Sequence, residues 1–285
     1  MLKEIAYKIR HLPGLSNLEW FWNLLRKPYH QFLNLNNKGV IVLYPEANFQ
    51  IAIPPEFYSI KLAEYEKIAT LKLINWLKKN PDSFILDIGC AQGLISTIAL
   101  FASPDCQVIA VDSDLDSLFV TKKMIQYANK SHSRLSIVNC LIADYNTNQN
   151  DLTEVLKYTN ELVNKSNLSG LPNSTKYINL DKNIDKKIPV YAIDHLFKNF
   201  EMKHSKVLIK CDVEGAELFV LKGAINFINK YNPIILLSVH PEILISFNYQ
   251  LDEITGFLKS INYKHTLLAI DHEEHWWCVP KGITE

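Results

Sequence analysis

The stretch FILDIGCAQGLISTIALFA, residues 84–102, decides the fold. The apolar run Phe84-Ile85-Leu86 ends in Asp87, Gly89 and Gly93 follow, and the apolar run LISTIALFA begins at Leu94. A strand over 83–88, a tight turn and a helix over 94–102 account for this order. Glycine has no Cβ, so its backbone turns tightly and approaches other groups closely. Taken alone, the stretch leaves three readings open. It is a nucleotide loop, a phosphate loop, or a strand-to-helix turn whose glycines only permit packing.

Downstream, QVIAVD (107–112) reads as a second strand, followed by a helix over 114–128 with Ser113 or Asp114 as N-cap. LSIVNC (135–140) is a third strand. Strands alternating with helices imply βαβ units and a mostly parallel sheet. Residues 145–187 break the rhythm with a polar, Asn-, Lys- and Ser-rich insertion that holds a short helix at 151–163 and is either a lid or a surface decoration. The rhythm resumes at 188 with a short strand and helix start in IPVYAIDHLF, then a strand over 206–211, a helix over 216–229, a strand over 233–240 and a helix over 249–260. Two last strands, 263–270 and 275–280, are joined by DHEE without an intervening helix and should be antiparallel.

Upstream, a helix over 60–79 is closed by Pro81, and GVIVLYPEANFQIAI (39–53) reads as a hairpin turning at Pro45–Asn48. Residues 1–35 include LEWFWNLLRKPYHQFL, a helix with Trp20, Phe21, Leu24 and Leu25 on one face. It packs on the domain or makes a weak peripheral membrane contact through aromatics beside Arg26 and Lys27; the first is the plainer reading. The chain divides into an N-terminal extension, 1–80, packed on a core domain, 81–285.

The bulk numbers agree with a globular protein. Hydrophobic residues make up 48% and charged residues 21% of 285 residues, and the formal net charge is zero. A neutral chain argues against a nucleic-acid partner, which calls for a basic face. Cys90, Cys106, Cys140, Cys211 and Cys278 form no CxxC pair and read as reduced thiols of a cytoplasmic protein. No run is long enough to span a bilayer. Nothing in the sequence fixes an oligomeric state.

The loop itself narrows the ligand. Its spacing is D-x-G-x-x-x-G, with Ala91 where the dinucleotide fingerprint G-x-G-x-x-G needs its second glycine, and no Gly-Lys-Ser/Thr marks a phosphate loop. Asp112 ends the next strand, 19 residues after Gly93, where a carboxylate can accept both hydroxyls of a ribose. Such an acid fits NAD or S-adenosylmethionine equally. The loop favours S-adenosylmethionine, which has no phosphates to cradle.

Further segments carry a family resemblance. LIKCDVEGAELFVLKGA, with its K-C-D-V-E-G-A-E run followed by V-L-K-G-A, resembles the hallmark segment of the FkbM family of methyltransferases. FILDIGCAQG stands in the place of that family's D-V-G-A-N-x-G motif, LIAD (141–144) of its A-x-x-D region, VYAIDHLF of its T-L-D-x-L segment, and PIILLSVHPE of its P-x-I-L-x-E-x-H strand. The resemblance covers about two-thirds of the chain, 84–280. Cys90 replaces the usual Ala of the loop, and Ser238 stands where the family often has Glu.

The resemblance implies a Rossmann-like class I methyltransferase: a seven-stranded, mostly parallel sheet with an antiparallel last strand and helices on both faces. It implies S-adenosylmethionine as cofactor, held by Asp87, Gly89, Cys90, Gly93, Asp112, Ser113 and Asp144, the last at the adenine amino group. It also implies O-methylation of a hydroxyl on a sugar, glycan, glycolipid or secondary metabolite. In-line methyl transfer needs a proton acceptor beside the acceptor oxygen. Asp212 and Glu214, after the fourth strand, and His240, at the end of the fifth, are the expected catalytic groups. Each has a plainer role: Asp212 as loop orienter or as a contact to the cofactor's methionine end, Glu214 as helix cap, His240 as structural histidine. Glu217 reads as a cap, Lys210 as an ion-pair partner of one of these acids, and Gly215 as a close approach to the cofactor. DHEEH (271–275) lies in a turn, lacks the H-E-x-x-H spacing, and is not expected to hold a metal. The rivals are a nicotinamide-dependent oxidoreductase and a methyltransferase-like binding subunit without catalysis.

Overall fold

The computed structural model describes residues 39–57, 61–126, 132–165 and 188–282. The proposed N-terminal aromatic helix lies outside them, as does the insertion beyond Lys165.

The sheet has seven strands: β3 (Ser83–Ile88), β4 (Gln107–Asp112), β5 (Leu135–Asn139), β8 (Lys206–Cys211), β9 (Ile234–Val239), β10 (Tyr263–Ile270) and β11 (Glu274–Pro280). Their spatial order is β10-β11-β9-β8-β3-β4-β5. β3 pairs parallel with β4 and β8, and β11 runs antiparallel between β9 and β10. The chain order therefore reverses between β3 and β8, the switch point outside which ligands bind in open α/β sheets. Central strands covered on both faces read as unbroken apolar runs, and every residue of β3 and β9 is buried.

Alternation along the strands feeds two apolar layers. Phe84, Leu86 and Ile88 face one layer with α6 (Glu217–Lys222), α7 (Ile225–Tyr231) and α9 (Leu251–Ser260). Ile85, Val108, Leu208 and Leu236 face the other, where α1 (Lys67–Lys79), α2 (Leu94–Ala102) and the hairpin β1 (Val40–Tyr44)–β2 (Phe49–Ile53) pack. Asp87, Lys210, Ser238 and His275 continue this second face toward the carboxyl ends, with Asp87 beside Lys210 and Ser238 beside His275. α3 (Leu115–Gln126) and α4 (Leu152–Lys165) flank β5 and lie close to each other. β6 (Leu141–Ile142) and β7 (Val190–Tyr191) form a separate parallel pair, and α5 (Ile193–Leu196) and α8 (Pro241–Leu244) are single turns.

Most expected elements fall within a residue or two of their observed bounds, and three differ in an informative way. The helix expected over 60–79 starts only at Lys67, because Glu66 takes a left-handed conformation with φ +43°. The helix expected over 216–229 breaks at Gly223, where a Cβ would lie 2.1 Å from the Ala143 carbonyl oxygen. The short helix expected at 151–163 runs to Lys165. All five cysteines are buried and none is in a disulfide. Among the described residues no helix is long and apolar enough to cross a membrane.

Candidate active site

The β3 loop is built from contacts inside the protein. Gly89 has φ +74°, and a Cβ there would stand 1.7 Å from the Asp212 carbonyl oxygen, so the loop can press against the end of β8 only without a side chain. Gly93 has φ +73° and packs against Thr121. Gly89 N and Cys90 N both donate to the Val111 carbonyl, which fastens the loop to β4. The packing account therefore suffices for both glycines, while Ala91 and Gln92 at the loop tip remain exposed.

Asp87 is 1% exposed, and its carboxylate accepts the Ser96 hydroxyl at 2.6 Å. Burial pushes its carboxyl up to about 6. The bond to Ser96 ties the end of β3 to α2. The Cys90 thiol likewise turns inward toward Thr121, 3.6 Å away, and burial pushes its pKa up.

Asp112 is half-buried at the end of β4. One oxygen accepts Ala91 N at 2.9 Å and the other Asp114 N at 2.8 Å. Burial raises its carboxyl to about 7 against these two hydrogen bonds, and Asp114 and Asp87 add to the rise. A carboxylate has about four lone-pair sites, so each oxygen keeps one for a ligand hydroxyl. Asp114 caps α3 through Asp116 N and Ser117, and the Ser113 carbonyl is held by Asn139. Asp144 is exposed just beyond β6.

The second half of the site lies at the ends of β8 and β9. Asp212 N donates to the Ile88 carbonyl, which joins it to the glycine loop. Lys210 is fully buried on β8 and donates to Asp212 at 3.0 Å and to Ser238, with Glu66 3.9 Å away. Burial lowers the Lys210 pKa, but Asp212, Glu66 and Glu273 outweigh it and hold the ammonium charged.

His240 is 6% exposed at the end of β9. Its Nδ1 lies 2.8 Å from Glu217 Oε1, a carboxylate also held by Gly215 N and Tyr249. Its Nε2 lies 2.6 Å from Glu273, 3.4 Å from Glu214 and 3.6 Å from Asp212. Nε2 makes no hydrogen bond of regular geometry to any of these oxygens, so the contacts are ionic. Burial would lower the His240 pKa; Glu217, Glu273 and Asp212 raise it to about 10. Burial would raise Glu273, but His240, Lys210 and His275 bring it to about 2. Glu214 is 43% exposed and sits above the usual carboxylate range, chiefly through burial of its inner half and against the pull of His240.

The structure thus brings Asp212, Glu214 and His240 together. Glu214 points to His240, and Glu217 is a buried support for the imidazole ring. Sequence reasoning missed Glu66 and Glu273. The second had a signal: an antiparallel final strand must begin where its parallel neighbour ends, and Glu274 does pair with Val239. Backbone strain marks the same place. Of seven non-glycine residues with positive φ among the described residues, four are Asn, which tolerates it. The other three, Glu66, Ala91 and Glu214, all border the site.

The acidic groups around the loop suit S-adenosylmethionine. Asp87, Asp112 and Asp114 would repel a pyrophosphate, whereas a ribose edge and a sulfonium cation are compatible with acidic surroundings.

Comparison with known proteins agrees. No curated protein matches the chain. The methyltransferase FkbM from Methylobacillus flagellatus KT is 15% identical, with 74% of this chain and 52% of that one covered and a TM-score of 0.48. The chain spans about half the length of that protein. Precorrin-6y C5,15-methyltransferase from Geobacter metallireducens GS-15 is 11% identical over 81% of this chain and 97% of that one, with a TM-score of 0.45. The assignment rests on neither likeness but on the family model described as Methyltransferase FkbM domain, which matches residues 87–265, well over half the chain. The chain belongs to the FkbM methyltransferase family, whose cofactor is S-adenosylmethionine.

Proposed function

We propose that the chain transfers a methyl group from S-adenosylmethionine to a hydroxyl oxygen of a sugar, glycan, glycolipid or secondary metabolite. The observation that carries this reading is the abutment of the glycine loop on a cluster of proton-accepting groups, through Gly89 against Asp212. When bound, the cofactor supplies an electrophilic methyl on a sulfonium.

Asp112 accepts the ribose hydroxyls, and the Gly89–Gly93 loop and Ser113 shape the nucleoside side. Asp144 accepts from the adenine amino group. Asp87 and Cys90 serve from beneath, keeping the loop in shape. Glu214 is the group best placed to take the acceptor's proton. It is the most exposed of the three candidates, and its raised pKa brings it closer to neutrality. Asp212 orients the acceptor while anchored by Lys210. His240 holds both carboxylates in place. The hairpin and α1 cover one face of the sheet and bring Glu66 to the site.

The test is transfer of labelled methyl from S-adenosylmethionine to a panel of hydroxyl-bearing glycans and small molecules. Expected is S-adenosylhomocysteine formation with the label in an ether, lost by 10²-fold or more in Glu214→Gln, in line with about 10²–10⁴ for a general base. Label on nitrogen, or undiminished transfer by Glu214→Gln, would contradict the reading.

A further inference from the structure

Carboxylates outnumber cations at the ends of β8 and β9. Asp212, Glu214, Glu217, Glu273 and Glu66 crowd around Lys210 and His240. Within this set the His240 ring is fixed in a particular way. Glu217, fully buried and itself held by Gly215 N and Tyr249, takes Nδ1. That contact turns Nε2 toward Glu214, Asp212 and Glu273, where it has no hydrogen-bond partner although His240 is 94% buried. Metal-bound histidines are held in the same manner, with the far ring nitrogen on a carboxylate.

The spacing fits as well. Ligand atoms about 2.0–2.2 Å from an ion stand roughly 3.0–3.5 Å apart. Nε2 is 3.4 Å from Glu214 Oε2 and 3.6 Å from Asp212 Oδ1, while Glu273 Oε2, at 2.6 Å, stands too close to share an ion with it. One ligand atom from each of Asp212, Glu214 and His240 lies within 4.8 Å of the others. A single proton on Nε2 can point to only one of these oxygens, whereas a cation among them engages several at once. A second set, Glu66, Glu273 and His275, is less suited, because the His275 nitrogens already face Ser238 and Asp271.

We propose that His240 Nε2, Asp212 and Glu214 bind one divalent cation of the oxygen-preferring kind. Three side-chain ligands leave positions open toward solvent through the exposed part of Glu214. An oxygen ligand bound there would lose its proton more readily. That the ligand is the methyl acceptor's hydroxyl rests on the methyl-transfer reading; the cation site does not.

The test is titration of the chelator-treated full chain with MnCl2, followed by calorimetry and by the electron paramagnetic resonance signal of free Mn²⁺. A parallel titration uses S-adenosylmethionine. Expected is saturable Mn²⁺ binding, weakened at least about tenfold in each of Asp212→Asn, Glu214→Gln and His240→Ala, as loss of one ligand implies. If His240→Ala does not fold, the two carboxylate variants decide, since both side chains are partly exposed. No saturation below about 1 mM, the weak end of protein cation sites, or unchanged affinity in the variants, would overturn the site. Binding of S-adenosylmethionine without Mn²⁺ would sink the cation site alone. Binding of Mn²⁺ without S-adenosylmethionine would leave the cation site standing and sink the methyl-transfer reading.

Discussion

A single methyl group added at Gly89 would meet the Asp212 carbonyl oxygen at 1.7 Å, on a backbone with φ +74°. Strain and overpacking each cost about 1–3 kcal/mol, so Gly89→Ala should destabilise the fold by roughly 2–5 kcal/mol in urea unfolding. A loss under about 0.5 kcal/mol would mean that the loop can leave β8. Asp112 makes a different prediction. Burial pushes its carboxyl up to about 7, with Asp114 and Asp87 as the facing charges. Ribose hydroxyls are accepted best by the charged form, so S-adenosylmethionine affinity should rise roughly tenfold from pH 6 to pH 8. Asp112→Ala should weaken binding about 10–100-fold, the equivalent of a hydrogen bond to a charged group, and abolish the pH dependence. Folding stability has the opposite slope. Folded pKa values of about 6 for Asp87 and 7 for Asp112 exceed that of an unfolded aspartate, about 4. The folded state therefore holds the extra protons, and these two groups cost stability as pH rises from about 4 to 7. The sequence showed where Asp87 and Asp112 end their strands. It did not show that Ser96 covers the one while the other stays half-open, because that depends on the packing of α2 and the loop.

Among elements, the strands were the most legible, since β3, β4 and β8 are apolar runs bounded by polar residues or turns. Helix ends were less so. α1 begins late because Glu66 turns out of the helix toward Lys210, a long-range contact that periodicity cannot register. The break between α6 and α7 depends on the Ala143 carbonyl, some 80 residues away in sequence. Across that break, Asp194 of α5 accepts Asn226 N at 2.9 Å and Phe227 N at 2.8 Å, and so caps the first turn of α7. Asp194→Ala should cost about 1 kcal/mol, as loss of a helix cap does, and lower the Tm by about 2–4 °C. An unchanged Tm would show that water replaces the cap without cost.

At the scale of the molecule, the antiparallel β11 matters most. It enters the sheet from the carboxyl end, so the turn at 271–273 arrives beside His240 and supplies Glu273. The sequence held both facts, the acidic turn and the antiparallel hairpin, but only the strand order joins them. With β1–β2 and α1 on one face and α6, α7 and α9 on the other, the candidate site lies at the carboxyl ends of the strands beside the switch point between β3 and β8. Ligand binding there should stabilise the whole domain. At about one hundred times its Kd, S-adenosylmethionine should add about 2.7 kcal/mol by mass action, visible as a rise in Tm.

The most direct measurement is calorimetric titration of the folded protein with S-adenosylmethionine, and separately with NAD and NADP. Micromolar binding of S-adenosylmethionine alone is expected, abolished or greatly weakened by Asp112→Ala. Folded protein that binds no S-adenosylmethionine, or binds a dinucleotide in its place, would contradict that expectation.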